Sequence, residues 1–539
     1  MRRPLGAVVP IRRFARCVVL ALVLLASGTA LAQKSGGTLR VTHRDNPPSA
    51  SIHEEATIST VMPFASVYNN LVQFDLSTDR QNRLETVSPE LATAWSWSED
   101  GRRLSMKLRA GVRWHDGMPF TSADVKCTWE QLIGQRDIGL RKNPRRSWYF
   151  NLKSVEASGP QDVTFILAEP QPSFLVLLAG GMSPVYPCHV NGAQMRTHPI
   201  GTGPFRFGEL KQNESMRVVR NPDYWKPGKP FLDAIEFTII ANRSTSVLAF
   251  GAGKFDLTLT GDLPPSMVDE VRAQAPSTIC EVQTTNTQAN LLINRDRPPF
   301  DNAEIRRALN LVIDRNAFIE IIGRGQFLIG AAMMPPPSGL WGMPAEDLAS
   351  VEGYGTDMAT RRAQAQGIMR KLGYGPDKPL RLKVSTRNIP AYRDPAVLLI
   401  DHIKHAYLEA DLEPIDTGAW YVRMLKKDYQ VGLNVQGIGI DDPDVVFFEN
   451  FACGSERNYT AYCNKDMEAL FHRQSQMIDF AARRKLVWEI DRKLQEDGAR
   501  PVISHQRQGT CWWPYVKSIR LSSNSIYNHW RFEDVWLDR

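Results

Sequence analysis

Short segments in which apolar and polar residues alternate dominate the first 240 residues of the chain. This period of two is typical of strands with one buried face, and it predicts a first strand at Thr38–His43. Turn residues such as Glu99-Asp100-Gly101 separate several pairs of these segments and predict hairpins. The predicted hairpins pair Ala94–Trp97 with Leu104–Leu108, Leu152–Glu156 with Val163–Leu167, and Pro204–Leu210 with Met216–Arg220.

Helical periodicity dominates beyond residue 240, although a capping box at Thr121 and Asp124 already predicts a helix over Val125–Leu132. We expect Ser244 to cap a helix that ends near Gly251. The other predicted helices lie near 302–313, 315–322, 357–371, 394–410, 466–478 and 481–497, and the predicted strands are Ile235–Ile240, Phe255–Leu259, Leu380–Ser385, Leu412–Ile415 and Val431–Val435. This alternation of elements predicts an α/β fold with mixed sheets.

The composition is that of a globular protein, with 43% apolar, 9% aromatic and 23% charged residues over a length of 539. The formal net charge is +7, but five arginines and no acidic residue fall within residues 1–32. Without those five, 60 of the 65 basic residues remain against 58 acidic ones, which is a net charge of +2. This balance excludes the basic surplus that nucleic-acid binding requires.

Residues 1–32 have the order of an export signal. An arginine-rich start precedes the apolar run Cys17–Ala26, and small residues at Ala30 and Ala32 fit cleavage after Ala32. The alternative is a membrane anchor, but the run is shorter than the roughly 20 residues that span a bilayer. No later stretch of eighteen apolar residues occurs, so we expect an exported protein that is not itself embedded in a membrane.

Export permits disulfide bonds, and six cysteines remain once Cys17 is set aside. Cys453 and Cys463 bracket a segment with the composition of a loop, and we expect a bridge between them. Buried free thiols are the alternative for the other four cysteines. Of the three ways to pair those four, we favour Cys127 with Cys188 and Cys280 with Cys511.

Motifs for catalysis or cofactor binding are not found. The sequence contains no Gly-x-Ser-x-Gly elbow, no Walker A loop and no His-Glu-x-x-His motif. His402 and His405 have a spacing that suits a metal site on a helix, but a solvated helix face is the simpler interpretation. Residues 441–444 are acidic and lack the glycine and glutamate of an EF-hand loop. We therefore predict a protein that is not an enzyme and has no catalytic residues, cofactor or resident metal.

Six segments match family motifs, in order, from about residue 36 onward. Pro89–Gly101 follows the pattern "LAxSWxxSxDG", and Leu108–Val125 contains the stretch Trp114-His115-Asp116-Gly117. The other four segments are Gly36–Val41, Pro199–Phe205, Arg220–Trp225 and Ile305–Arg315. Together they resemble the family 5 extracellular solute-binding proteins, the dipeptide, oligopeptide and nickel type that serves ABC importers.

The resemblance implies a two-lobed clamp of the type II periplasmic-binding-protein kind, with mixed sheets and an extra subdomain inserted in the first lobe. A solute would be enclosed between the lobes as they close about a hinge. The implied bounds are 33–285 and 507–539 for the first lobe, 66–198 for the inserted subdomain, 286–506 for the second lobe, and 283–290 and 501–507 for the two hinge crossings.

Two residue roles are implied at matching positions. In dipeptide-binding relatives, an arginine at the end of a "VTR" strand holds the peptide carboxylate, and Val384–Arg387 resembles that segment. The same relatives hold the peptide amino group with an aspartate in a "WxxD…DP" segment. Here the tryptophan is absent and Gly439 stands where that aspartate would be, so Asp441 substitutes only if the loop shifts. This departure puts an ordinary peptide ligand in doubt.

Further candidates lie in segments that the resemblance places at the cleft. Trp420 and Tyr421 follow a strand and precede a helix predicted at Val422–Lys427, so they either stack on a solute or pack under that helix. Ligands of open α/β sheets sit at the ends of strands. The remaining candidates, at strand ends or in the first chain crossing, are His53, Gly261 and Asn290.

We therefore expect a monomeric periplasmic solute-binding protein of an ABC importer. It would capture a small carboxylate-bearing solute, either a peptide or a modified amino acid, and deliver it to membrane permease subunits. A nickel or metallophore carrier is one alternative, with His53 as its candidate ligand. An oligosaccharide-binding member of the same family is another, and an exported enzyme would need a nucleophile and a base in the cleft.

Overall fold

The computed structural model describes residues 1, 33–75, 87–259, 262–521, 528 and 530–539. The predicted export signal and its cleavage site lie outside these residues, apart from Met1. Within the described ranges, no helix combines the length and apolar character needed to cross a bilayer.

The strands provide the framework of the molecule. They are β1 (Thr38–His43), β2 (Val72–Phe74), β3 (Val87–Pro89), β4 (Ala92–Trp97), β5 (Arg103–Leu108), β6 (Leu152–Ala157), β7 (Asp162–Leu167), β8 (Phe205–Lys211), β9 (Ser215–Arg220), β10 (Ala234–Ile239), β11 (Ile279–Ile293), β12 (Leu380–Arg387), β13 (Leu408–Ile415), β14 (Val431–Gly437), β15 (Val502–Trp512), β16 (Val516–Lys517) and β17 (Trp536–Leu537).

The α-helices cover the sheets and join their strands. They are α1 (Ile58–Phe64), α2 (Ser122–Leu132), α3 (Phe174–Ala179), α4 (Gly192–Thr197), α5 (Arg243–Gly251), α6 (Pro265–Gln274), α7 (Ala303–Leu311), α8 (Arg315–Ile321), α9 (Ala345–Ala349), α10 (Met358–Lys371), α11 (Pro390–Ile403), α12 (Thr417–Leu425), α13 (Pro443–Asn450), α14 (Lys465–Ser475) and α15 (Phe480–Glu496). Short 3₁₀ turns occupy Ile52–Glu54, Ala65–Val67, Arg146–Tyr149 and Lys404–Ala406.

Three sheets of four or five strands organise these elements, and β2 with β3 and β16 with β17 form two further two-stranded sheets. A mixed N-terminal sheet has the order β1-β10-β9-β8, with β1 parallel to β10, and an antiparallel sheet has the order β4-β5-β7-β6. A mixed five-stranded sheet has the order β13-β12-β14-β11-β15, in which β12 runs parallel to both β13 and β14. The α/β class with mixed sheets predicted from the sequence is confirmed.

Several local predictions are confirmed and others are wrong. The predicted hairpins form, and the capping box of Thr121 and Asp124 begins α2. No regular strand forms at the predicted Phe255–Leu259. Only Leu257 makes isolated β-bridges there. Asn242 rather than Ser244 caps α5, since its side chain accepts the N–H of Thr245. The helix predicted near 394–410 ends at Ile403, and the chain joins β13 from Leu408.

The predicted chain crossings lie on two long paired strands. Strand β11 runs antiparallel to β15, from Ile279 opposite Trp512 to Asn290 opposite Val502. Near the start of this pair Cys280 lies opposite Cys511, and the two form a disulfide bond. Both strands belong to the five-stranded sheet, and isolated bridges from Leu257 to Trp512 and from Leu263 to Gly509 connect β15 to the N-terminal part of the molecule.

All three disulfide pairings that we favoured are present. Besides the bridge between β11 and β15, one bond joins α2 to the segment before α4, and one closes the loop between α13 and α14. The bonds are Cys127–Cys188, Cys280–Cys511 and Cys453–Cys463. All six cysteines beyond the predicted export signal are thus paired in disulfide bonds.

Two large apolar clusters form the core, and helix α13 links the halves of the molecule. One cluster surrounds the five-stranded sheet, and the other fills the N-terminal sheets and also takes in α13. Phe448 of α13 stacks on Phe150 with ring centroids 3.8 Å apart, and Trp148 donates its indole N–H to Glu449 at 2.6 Å. These buried contacts hold the two halves against each other beside the crevice between them.

Candidate functional site

Arg387 lies at the carboxyl end of β12, the position where ligands of open α/β sheets are held. The last four residues of this strand are buried, and Arg387 itself is 1% exposed. Its guanidinium donates to the hydroxyl of Thr417 at the start of α12 at 2.8 Å and to Tyr392 of α11 at 3.0 Å. It also lies 4.8 Å from the centre of the Tyr392 ring. The site is therefore a cation held by hydroxyl groups and an aromatic face.

Asp45 closes this cluster from the other half of the molecule. It follows β1 by two residues, and its Oδ2 accepts a hydrogen bond from Nη2 of Arg387 at 2.8 Å and from Thr417 at 2.5 Å. Its Oδ1 accepts the hydroxyl of Ser59. A carboxylate of the chain itself thus accepts a hydrogen bond from Arg387. The resemblance implies that a carboxylate of the solute would accept it.

The charges around Asp45 keep it ionised. Burial opposes ionisation, but the positive charges of Arg387 and Arg44 outweigh it and lower the pKa of Asp45 to about 2. Because this pKa lies below that of an unfolded aspartate, the ion pair stabilises the fold above about pH 4, and the stabilisation is lost as the pH falls towards 2. The pair therefore persists in mild acid.

Little space remains around the guanidinium of Arg387. The cavity beside it has a volume of about 20 Å³, which holds roughly one water molecule. Its walls come from the N-terminal half through Arg44 and Thr57, from β14 through Val435, and from α12 through Tyr421. The described space beside the guanidinium is therefore too small for a solute much larger than a water molecule.

Asp441 lines a different and much larger cavity. This second space has a volume of about 750 Å³ and is bounded by the 336–344 loop, the start of α13, helix α15 and the N-terminal side of α3. Oδ2 of Asp441 accepts the backbone N–H of Leu340 at 2.7 Å. Burial and the neighbouring Asp442 raise the pKa of Asp441 to about 7. The structure therefore separates Arg387 and Asp441 into two cavities with no lining residue in common.

The two aromatic candidates have different surroundings. Both belong to α12, which begins at Thr417, so they lie within a helix and not before one as the sequence predicts. The hydroxyl of Tyr421 accepts from Nη1 of Arg387 at 3.4 Å and lines the small cavity. Trp420 is fully buried in an apolar cluster with Met424 and Tyr429, which leaves no face for a solute.

His53 lies away from both cavities. Its Nε2 donates to the carbonyl of Pro184 at 2.7 Å, and its ring meets that of Tyr186 edge to face with centroids 4.4 Å apart. Burial lowers the pKa of His53 to about 4, so the ring is neutral at physiological pH. It is a packed core residue of the N-terminal half.

Two other candidates complete the set. Asn290 lies within β11, where its Oδ1 accepts from Nε of Arg500 at 3.0 Å. It lines neither of the two cavities described above. Gly261 is outside the described residues, which continue from residue 262.

Sequence reasoning missed Asp45, Thr417 and Tyr392. Asp45 lies two residues after β1, so its position just beyond a strand end was the available signal. Its partner Arg387 is 342 residues away, and no motif connects them. Thr417 was hidden because α12 was predicted to begin five residues too late.

The comparisons with known proteins agree on one family. A family model described as "Bacterial extracellular solute-binding proteins, family 5 Middle" matches residues 86–458, which is more than half of the chain. A probable di/tripeptide-binding protein 5 of Pseudomonas aeruginosa is 25% identical over 490 residues, covering 84% of this chain and 86% of that protein.

Solved structures show the same two-lobed fold. The periplasmic binding protein DppA from Helicobacter pylori, in complex with the peptide STSA, superposes with a TM-score of 0.82 at 20% identity, over 94% of this chain and 99% of that one. NikA from Staphylococcus aureus, in complex with Ni(L-His)2, superposes with a TM-score of 0.78 at 19% identity, over 92% and 99%. Since one fold serves a peptide and a nickel complex, the fold alone does not identify a ligand.

Proposed function

The chain belongs to family 5 of the bacterial extracellular solute-binding proteins, and on that basis we propose that it captures a small carboxylate-bearing solute in the crevice between its lobes. The solute is a peptide or a modified amino acid, which the protein delivers to the permease subunits of an ABC importer. Membership in this family makes the protein a binding component and not an enzyme.

One observation carries the proposal: a buried guanidinium of the second lobe already holds a carboxylate of the first lobe. Charge-assisted hydrogen bonds of this kind contribute about 1.5–3 kcal/mol each. When the lobes separate, the carboxylate of the solute takes the place of Asp45 on Arg387. Tyr421 and Tyr392 border the same guanidinium and contact the body of the solute. Closure follows because Arg44 and Thr57 of the first lobe, which line the same space, contact the solute only in the closed arrangement.

The proposed lobes follow the bounds expected from the sequence, with β11 and β15 as the hinge strands. Paired strands bend as a unit because their hydrogen bonds couple them, so they suit a hinge between two rigid bodies. The Cys280–Cys511 bond holds one end of this pair. Rotation would then open the crevice beside Arg387 and α13.

The nickel alternative has less support from the geometry. Among the described residues, no group of three or more histidine, cysteine, aspartate or glutamate side chains is arranged to hold a metal ion. His53, the candidate ligand, is engaged with Pro184 and Tyr186 in the core. A carboxylate-bearing solute is therefore the ligand class that the site favours.

Small-angle scattering tests the clamp. Mass spectrometry of protein extracts first identifies the solute that co-purifies with the protein, and unfolding with dialysis then removes it. We expect the radius of gyration to decrease when that solute is added back, because closure brings the lobes together. Identical scattering curves with and without the solute would count against the proposal.

Replacement of Asp45 by asparagine should strengthen solute binding about tenfold. The amide keeps the shape of the side chain but loses the ion pair with Arg387, so the guanidinium no longer has a competitor from its own chain. Titration calorimetry with the identified solute measures the change. Asp223→Asn is the matched control, because Asp223 is a first-lobe carboxylate whose side chain is 73% exposed. Weaker binding by Asp45→Asn would instead place Asp45 among the groups that hold the solute.

A further inference from the structure

Helix α13 of the second lobe carries two buried carboxylates that also bind the first lobe. Asp444 near its start is 1% exposed, and Glu449 near its end is 2% exposed. Neither residue lines the cavity beside Arg387 or the one beside Asp441. The two carboxylates are therefore placed to hold the lobes together without taking part in either cavity.

Glu449 has partners in both lobes. Its Oε2 accepts the indole N–H of Trp148 in the first lobe at 2.6 Å, and its Oε1 pairs with Nη1 of Arg457 in the second lobe at 2.7 Å. Gln436 of β14 also donates to Oε1, at 3.0 Å. When the lobes separate, the carboxylate keeps its second-lobe partners and loses the indole. The hydrogen bond from Trp148 therefore belongs to the closed arrangement.

Asp444 repeats this arrangement at the other end of α13. Its Oδ2 accepts from Gln171 at 2.9 Å and from Ser173 at 2.5 Å, and both donors belong to the first lobe. Gln474 and Ser475 of α14 donate to the same carboxylate from the second lobe. Hydrogen bonds to a charged acceptor are stronger than those between neutral groups, so both ends of the helix are bound firmly to the first lobe.

An aromatic stack and a pair of hydroxyl groups lie near the carboxyl end of α13. Phe150 of the first lobe stacks on Phe448 with ring centroids 3.8 Å apart. Oγ of Ser455, in the loop after α13, donates to Oγ of Ser147 in the first lobe at 3.2 Å. Stacked rings attract each other beyond the apolar area that they bury. These contacts, too, join one lobe to the other.

We propose that α13 is a latch that sets how long the solute stays bound. Its contacts with residues 147–150 and 171–173 stabilise the closed arrangement and are lost in the open one. Trp148 and Phe150 are then positioning residues, which slow the release of the solute without contacting it. This inference rests on the proposed capture by lobe closure and adds the residues that regulate it.

Release kinetics of the whole protein test the latch through Trp148→Phe. The probe is the compound that co-purifies with the protein, followed by mass spectrometry of the retained fraction and by stopped-flow mixing when it is added back. The substitution keeps an aromatic ring but removes the N–H that Glu449 accepts. We expect the dissociation rate to rise about tenfold. The association rate should change by less than about twofold, because the solute first meets the open lobes.

Trp129→Phe is the matched control. Trp129 lies on α2 of the first lobe and is fully buried, but its indole N–H makes no hydrogen bond among the described residues. The same loss of ring volume there should leave the release rate unchanged, because no contact between the lobes is removed. Equal acceleration in Trp129→Phe and Trp148→Phe, or no acceleration in Trp148→Phe, would overturn the latch.

A cross-link tests the same contact in the opposite direction. Ser147→Cys combined with Ser455→Cys places two thiols where the hydroxyl oxygens lie 3.2 Å apart, and the cross-linked fraction is isolated with the solute inside. Lobe motions take microseconds to milliseconds, whereas a disulfide rearranges only over minutes to hours. The cross-linked fraction should therefore release the solute at least about a hundredfold more slowly than the fraction with free thiols.

The scattering experiment on the unmodified protein separates failure of the latch from failure of the proposed function. If the protein becomes compact when the solute is added, but the cross-linked fraction releases the solute as fast as the free-thiol fraction, the latch is refuted and capture by closure stands. If the unmodified protein does not become compact, the closure on which the latch rests is itself refuted.

Discussion

Arg387→Ala is expected to weaken binding of the carboxylate-bearing solute at least tenfold and to lower the free energy of unfolding by about 3–5 kcal/mol. The loss of binding follows from the missing charge-assisted hydrogen bonds to the solute. The loss of stability has a separate cause, since Asp45 is left largely buried without its hydrogen-bonded cation and with only the more distant Arg44 near it. Calorimetry with the co-purifying solute and chemical unfolding measure the two effects.

A double variant separates these effects. Asp45→Asn combined with Arg387→Ala removes both charges, so it should recover much of the lost stability but not the lost affinity. Arg381→Ala is the matched control on the same strand, because the Arg381 side chain is 83% exposed. It should change stability by less than about 0.5 kcal/mol and leave binding intact. Full affinity in the double variant would remove Arg387 from the solute site.

Removal of the Cys280–Cys511 bond is expected to cost about 5 kcal/mol of unfolding free energy. The two residues are 231 positions apart, so the bond closes a very long loop in the unfolded chain. Cross-linking so long a loop strongly reduces the entropy of the unfolded state, which raises the free energy of unfolding. Chemical unfolding of the double serine variant without reductant measures the loss.

The Cys453–Cys463 bond is the natural comparison. Its sequence separation is 10, so the same loop-entropy argument predicts a smaller loss of about 3 kcal/mol when both cysteines become serine. The chain thus carries a long-loop and a short-loop bridge in one molecule. An equal or reversed order of the two losses would show that loop entropy does not govern the effect of these bonds.

Elements with strong local signals were predicted closely. The β4–β5 hairpin needed only alternating residues and a turn at Gly101, which takes a φ of +67° that favours glycine. Helix α2 begins where Thr121 and Asp124 complete a capping box. In both cases the deciding contacts lie within about a dozen residues of one another.

Elements that depend on distant partners were predicted poorly. Residues 408–410 were assigned to a helix, but they pair with Leu380–Leu382 at the start of β12. Tyr407 marks the change with a φ of +57°, immediately before that pairing begins. Pairing with a neighbouring strand overrides local helical periodicity, and the identity of that neighbour is not visible in a local window.

Residues of the candidate site show the same contrast between local signals, which the sequence reveals, and distant contacts, which it does not. Arg387 could be proposed because its segment resembles a family motif, and it is indeed buried at the end of a strand. Asp45 could not, because its two partners in the cluster, Arg387 and Thr417, lie more than 300 positions away. The cavity beside Asp441 was not predicted, since its aromatic walls come from separate segments.

By itself, the sequence determined the family, the α/β class and the elements whose stabilising contacts are local, and it favoured the cysteine pairs that form disulfides. Only the tertiary structure decided that Arg387 meets Asp45, that Asp441 belongs to a separate cavity, and that His53 and Trp420 are core residues. The physical reason is that charge pairing and burial depend on distance in space, and the packing of two lobes brings together residues that the chain keeps far apart.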